Sequence, residues 1–162
     1  MTSLTAVLLP SAARAVSGAV RDATAAALAT NRESFDDATA RLAGLDPALV
    51  RVALGSVVRS LLEERHPDGL ELHDVQQLLE TCLESALAWL PDVDTAALTV
   101  VVTGALGVHE PDEVERPVTP AGVATAAPLL VAALLDGAPR GLEKHLEDAF
   151  AEIARQHTVE IP

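Results

Sequence analysis

Apolar residues recur along the chain at spacings of three and four, and this spacing predicts α-helices throughout. The clearest stripe lies in a helix predicted from His73 to Leu90, whose polar residues fall on the opposite face. Its apolar positions are Val75, Leu78, Leu79, Cys82, Leu83, Ala86, Leu87 and Leu90. No segment shows the sustained alternation between hairpin turns that paired strands show. The predicted fold class is therefore all-α: a single compact bundle of six or seven helices with an Ala/Leu/Val core.

Capping residues, glycines and prolines predict the ends of these helices. We expect Ser34 to cap the second helix and Gly44 to end it in the left-handed conformation, while Asp46-Pro47 and Thr119-Pro120 each begin another helix. The predicted helices cover residues 4–29, 34–43, 47–66, 73–90, 95–108, 119–136 and 138–157. Residues 1–162 are predicted to form one helical domain, with an acidic surface loop at 109–118 and a loose tail at 158–162.

Two apolar segments allow more than one structure. Residues 98–103 are rich in β-branched side chains, but a single strand would have no partner here, so we predict a helix; its nearly uniform apolarity suggests a central position. Residues 118–135 carry no charge and approach the length of a membrane span. They consist mostly of Ala, Gly, Thr and Pro with few large apolar side chains, which favours a buried core helix.

Charge and composition exclude several classes of protein. The chain has 162 residues, with 11 basic and 24 acidic side chains and a formal net charge of −13. Such a charge repels nucleic acid and anionic membranes, so neither is an expected partner. The single cysteine, Cys82, excludes an internal disulfide, and the N-terminus lacks the charge pattern of a signal peptide. We therefore expect a cytoplasmic protein without a disulfide framework.

Metal binding has weak candidates. His145, Asp148 and Glu152 follow one edge of the last predicted helix, beside its apolar stripe, and an imidazole with two carboxylates would suit zinc or a ferrous-type ion. The alternative is an exposed histidine near two acids. The pair Glu63 and His66 has the Glu-x-x-His spacing of carboxylate-bridged metal proteins, but it points away from the buried stripe of its helix. We predict neither a metal nor a cofactor.

Nucleophilic catalysis and ligand binding receive little support. Cys82 falls within a buried stripe, where a thiol is inert, and the serines that can be placed lie at caps or on helix surfaces. A small-ligand pocket could form around Trp89, Phe150 and the bend expected at Pro128. We expect no catalytic residue, although a ligand-binding protein or a metal-dependent enzyme with such a pocket remains the alternative.

A corner at residues 40–50 has the spacing of a helix-turn-helix unit, with small Ala40 and, four residues later, Gly44. The second helix would present Ala48, Arg51, Val52 and Gly55 to a groove, and only Arg51 among these reads bases well. A DNA-binding regulator is thus a weaker alternative. The sequence favours a non-catalytic module that binds another protein, with a basic partner suited to its charge, or itself as a homodimer.

Overall fold

Every regular element of the described structure is an α-helix. A computed structural model describes residues 3–107, 119–136 and 141–159, and these residues contain seven helices and no strand. In chain order the helices are α1 (Ser3–Leu28), α2 (Arg32–Ala43), α3 (Pro47–Arg65), α4 (Leu72–Leu87), α5 (Thr95–Ala105), α6 (Pro120–Leu135) and α7 (Leu142–Val159). The predicted all-α class is confirmed, and the valine run forms the helix α5.

Helix α6 lies at the centre of the fold and packs against α1, α2, α3, α4 and α5. Ten of its sixteen residues are buried, so its solvent-exposed face is narrower than that of a typical surface helix. Its many alanines allow its neighbours to approach closely, because interhelical distance depends on the side chains at the contact. The prediction of a buried core helix is confirmed for Pro120–Leu135, and residue 118 lies outside the described residues. Among the residues described, no helix combines the length and apolarity needed to cross a membrane.

Helix α5 does not take the central position predicted from its apolar character. It buries one face against α3, α4 and α6 and leaves Thr99 and Val100 exposed. The buried residues of this face are Ala97, Leu98, Val101, Val102 and Ala105. Leu87, the last residue of α4, was predicted within the buried stripe but is exposed. Leu90, in the connection that follows, is buried instead.

Among the described helices, α2, α3, α5 and α6 begin with a residue whose side chain accepts a hydrogen bond from a first-turn amide. Asp46 accepts a hydrogen bond from the Ala48 amide at 3.0 Å, and Thr119 accepts one from the Gly122 amide at 3.0 Å, which confirms both predicted helix starts. Pro47 and Pro120 follow at first-turn positions, where a missing N–H costs nothing. In the same way Asp94 caps α5 through the Ala97 amide at 3.2 Å.

The end of α2 at Ala43 was predicted correctly, but its start and the conformation of Gly44 were not. Asn31 is the cap, and its side chain accepts a hydrogen bond from the Ser34 amide at 3.1 Å, so Ser34 lies inside the first turn. Gly44 ends the helix in a right-handed conformation, with φ of −84°. A left-handed residue occurs at the end of α1 instead, where Thr30 has φ of 53° and the Asn31 amide donates back to the Ala26 carbonyl.

Helix α7 packs on α3 and, to a smaller extent, on α1. It begins at Leu142 and not at the predicted residue 138, since Gly141 is not helical. It continues to Val159, two residues beyond the predicted end. The predicted loop at 109–118 and the end of the predicted tail, 160–162, lie outside the described residues. The contact of α7 with α3 contains the polar cluster described next.

Candidate functional site

The metal-ligand candidates of α7 do not share one environment. His145 is completely buried, Asp148 is partly buried and lies 3.6 Å from the Lys144 ammonium, and Glu152 is exposed. A hydrogen bond and the positive charge of Arg155 lower the pKa of Glu152. In the part of the chain that the structure describes, no three His, Cys, Asp or Glu residues form a group that could hold a metal ion.

His145 instead faces α3. Its Nδ1 lies 2.7 Å from the Ser60 Oγ, and its Nε2 lies 3.4 Å from the Glu64 Oε2. The Ser60 hydroxyl and the imidazole Nδ1 form a hydrogen bond, and the Glu64 carboxylate faces the other ring nitrogen. The Glu64 side chain is 13% exposed and the His145 side chain 0% exposed. The cluster of Ser60, Glu64 and His145 therefore joins α7 to α3 within the protein interior.

The spacing of residues along α3 and α7 brings the members of this cluster onto facing sides of the two helices. Ser60 and Glu64 are four residues apart on α3, which places them one above the other on one face. His145 lies three residues after Leu142 and four before Ala149, within the apolar stripe of α7. The expectation that the placeable serines lie at caps or on helix surfaces is wrong for Ser60, which is partly buried. The sequence contained one signal of this cluster, a polar residue among the apolar positions of each helix: Ser60 in α3 and His145 in α7. Only the tertiary structure shows that these two helix faces pack on each other.

The order serine, histidine, glutamate resembles that of a nucleophile, a base and an acid, but the geometry favours a structural role. Ser60 lies inside α3, where the helix itself uses the backbone amides that an oxyanion hole would need. The His145 ring has no exposed surface through which a substrate could reach it. A fully buried imidazole that lies between the Ser60 hydroxyl and the Glu64 carboxylate joins two helices by polar contacts in the interior.

Cys82 has the environment predicted for an inert thiol. It is buried in α4, and burial raises the pKa of its thiol to about 11. The thiolate is the reactive species, so at neutral pH this side chain behaves as a small apolar residue.

The ligand-pocket candidates contribute to separate parts of the structure. Trp89 packs edge-on against Phe35, with ring centroids 5.1 Å apart and planes at 82°. Phe150 is partly buried on α7, and Pro128 is buried inside α6. Trp89 contacts an open cleft only through Phe35, which lines it.

This open cleft, called here the acidic cleft, lies between α2, the connection from α4 to α5, and the first turns of α5 and α6. It encloses about 750 Å³, including the solvent at its mouth. Buried apolar side chains form its floor: Phe35, Leu90, Ala97 and Ala126. Charged residues form its rim: Arg32, Asp36, Asp92 and Asp94. The cleft thus combines an apolar floor with three carboxylates and one guanidinium, and sequence reasoning did not detect it.

The corner at residues 40–50 differs from a helix-turn-helix unit. Helix α2 packs mainly against α1 and α6, whereas the unit requires close packing of its two helices on each other. Ala40, which would allow that close approach, is exposed. Arg51 is exposed at the start of α3, beside a small hollow that includes Pro47 and Pro120.

Comparison with protein-family models gave no match, and comparisons with curated proteins and with solved structures gave none either.

Proposed function

We propose that the protein is a non-catalytic helical module that binds another protein, or a second copy of itself. The observation that carries this proposal is the acidic cleft, which is open to solvent and has an apolar floor and a charged rim. Protein interfaces combine these two features, since an apolar centre supplies most of the affinity and a polar rim supplies orientation.

The partner can be a different protein or a homodimer mate. Two copies of this chain would bring together two formal charges of −13, and like charges across an interface cost affinity. A homodimer would therefore use a face away from the acidic cleft. Large apolar side chains are exposed on four helices and are available to such a face: Leu28, Val52, Leu72, Leu87 and Val100.

Binding of a small ligand is the second candidate function. The cleft itself has a volume of about 290 Å³, which is close to the lower end of the range of small-molecule sites. Its open mouth favours a protein segment over a small molecule, because ligand pockets enclose most of the ligand surface.

Native mass spectrometry of the protein isolated from its own cells, without chelator, distinguishes these functions. We expect a complex with a second protein or a dimer of the 16.8 kDa chain. A small mass retained on the monomer, and displaced by unfolding, would support the ligand-binding function. Sedimentation of the purified chain at micromolar concentration provides the independent check. A clean monomer there, together with the bare chain mass in the native spectrum, would contradict the proposal.

A further inference from the structure

We infer that the acidic cleft binds a basic segment of a partner protein, with an arginine or lysine side chain paired with Asp36 or Asp92 beside Arg32. This inference rests on the proposed function and names the chemistry of the partner at that site. The exposed Ala121 and the partly exposed Val93 line the cleft above its buried floor and offer apolar surface to the methylene stem of such a side chain, while its charged head reaches the rim.

The charges of the rim favour a cation. Arg32 is its single cation among the residues that line the cleft, and it lies between two carboxylates. Its guanidinium is 3.2 Å from Asp92 Oδ1 and 3.6 Å from Asp36 Oδ2. The Asp36 and Asp92 side chains are 61% and 73% exposed, so these ion pairs are weak and open at little cost. A second cation can therefore pair with either carboxylate and complement a rim that carries three negative charges and one positive charge.

The helix ends at the cleft do not reverse this preference. The first turns of α5 and α6 open on the cleft, and free helix N-termini favour anions. Here Asp94 accepts from the Ala97 amide, and Thr119 accepts from the Gly122 amide. Because these caps occupy one first-turn amide of each helix and Asp94 adds a negative charge, the cleft favours a basic ligand over a phosphate.

Trp89 provides a reporter for occupancy. It is the one tryptophan of the chain, and it contacts Phe35 of the cleft floor. The probe is a short capped peptide of alternating arginine and leucine, titrated into the full-length chain while tryptophan fluorescence is recorded. The same peptide with glutamate in place of arginine is the negative probe. We expect a saturable change with the arginine peptide and none with the glutamate peptide.

Two double variants with equal net charge test the position of binding. Asp36→Asn with Asp92→Asn removes the proposed contacts, whereas Glu80→Gln with Glu84→Gln removes two exposed charges from α4. We expect the first pair to weaken peptide binding about fivefold or more, since exposed ion pairs contribute up to about 1 kcal/mol each. We expect the second pair to bind as the wild type does.

Several results would overturn the inference. Equal weakening in both double variants would show that the peptide responds to net charge alone. A fluorescence change with protein concentration alone would assign the cleft to a second copy, and competition by inorganic phosphate would assign it to an anion. If the cleft variants bind the peptide normally while the native spectrum still contains a protein complex, this inference fails and the proposed function stands. If the native spectrum contains no complex, the proposed function fails first.

Discussion

Removal of the Ser60 hydroxyl tests the contact between α3 and α7. The substitution Ser60→Ala eliminates the 2.7 Å hydrogen bond to a ring that has no exposure to water. Leaving a buried polar atom without its hydrogen-bond partner costs about 1–3 kcal/mol. Alanine is a better helix former than serine by up to about 0.5 kcal/mol, which offsets part of that loss. We therefore expect the free energy of unfolding to fall by about 1–2 kcal/mol.

Urea denaturation followed by circular dichroism measures this change. The matched control is Ser85→Ala, because Ser85 is exposed on α4 and has the same helical environment without the buried partner. We expect this control to leave the stability unchanged or to raise it by up to about 0.5 kcal/mol.

A double-mutant cycle with His145→Phe isolates the hydrogen bond itself. Phenylalanine keeps a ring at position 145 but removes both nitrogens, so Ser60→Ala should cost much less in that background. We expect a coupling energy of about 1 kcal/mol or more between the two positions. A coupling energy below about 0.5 kcal/mol, the level found for independent sites, would refute the assignment of this hydrogen bond.

Three further predictions follow from single residues. Thr30→Gly should raise the thermal midpoint, because glycine adopts the observed φ of 53° without the cost of about 1 kcal/mol that a side chain incurs there. Burial raises the Cys82 pKa to about 11, so the unfolded chain loses this proton first. The free energy of unfolding should therefore fall by about 2 kcal/mol as pH rises from about 9 to 11, and the slope should be smaller in Cys82→Ala. Arg155→Gln should raise the pKa of Glu152 toward its ordinary value in a carboxyl NMR titration, because the hydrogen bond and charge of Arg155 now lower it.

Local sequence determined the helices and several of their ends. Hydrophobic spacing and backbone propensity act over one or two turns, so they predict a helix without knowledge of its neighbours. The caps at Asp46 and Thr119 are correct for the same reason, since each bonds an amide two or three residues away. The error at Ser34 arose because Asn31 and Ser34 both have side chains that can cap a helix, and the chain uses Asn31.

Tertiary structure alone decided which polar residues meet. His145 was predicted to lie on an edge beside the apolar stripe of α7, yet the packing of α7 on α3 buries it between Ser60 and Glu64. These positions are 85 and 81 residues apart in the chain, a separation over which helical periodicity carries no information. The acidic cleft likewise joins residues from α2, α5 and α6. Propensity and capping are local interactions, whereas a buried contact or a cleft depends on how whole helices pack.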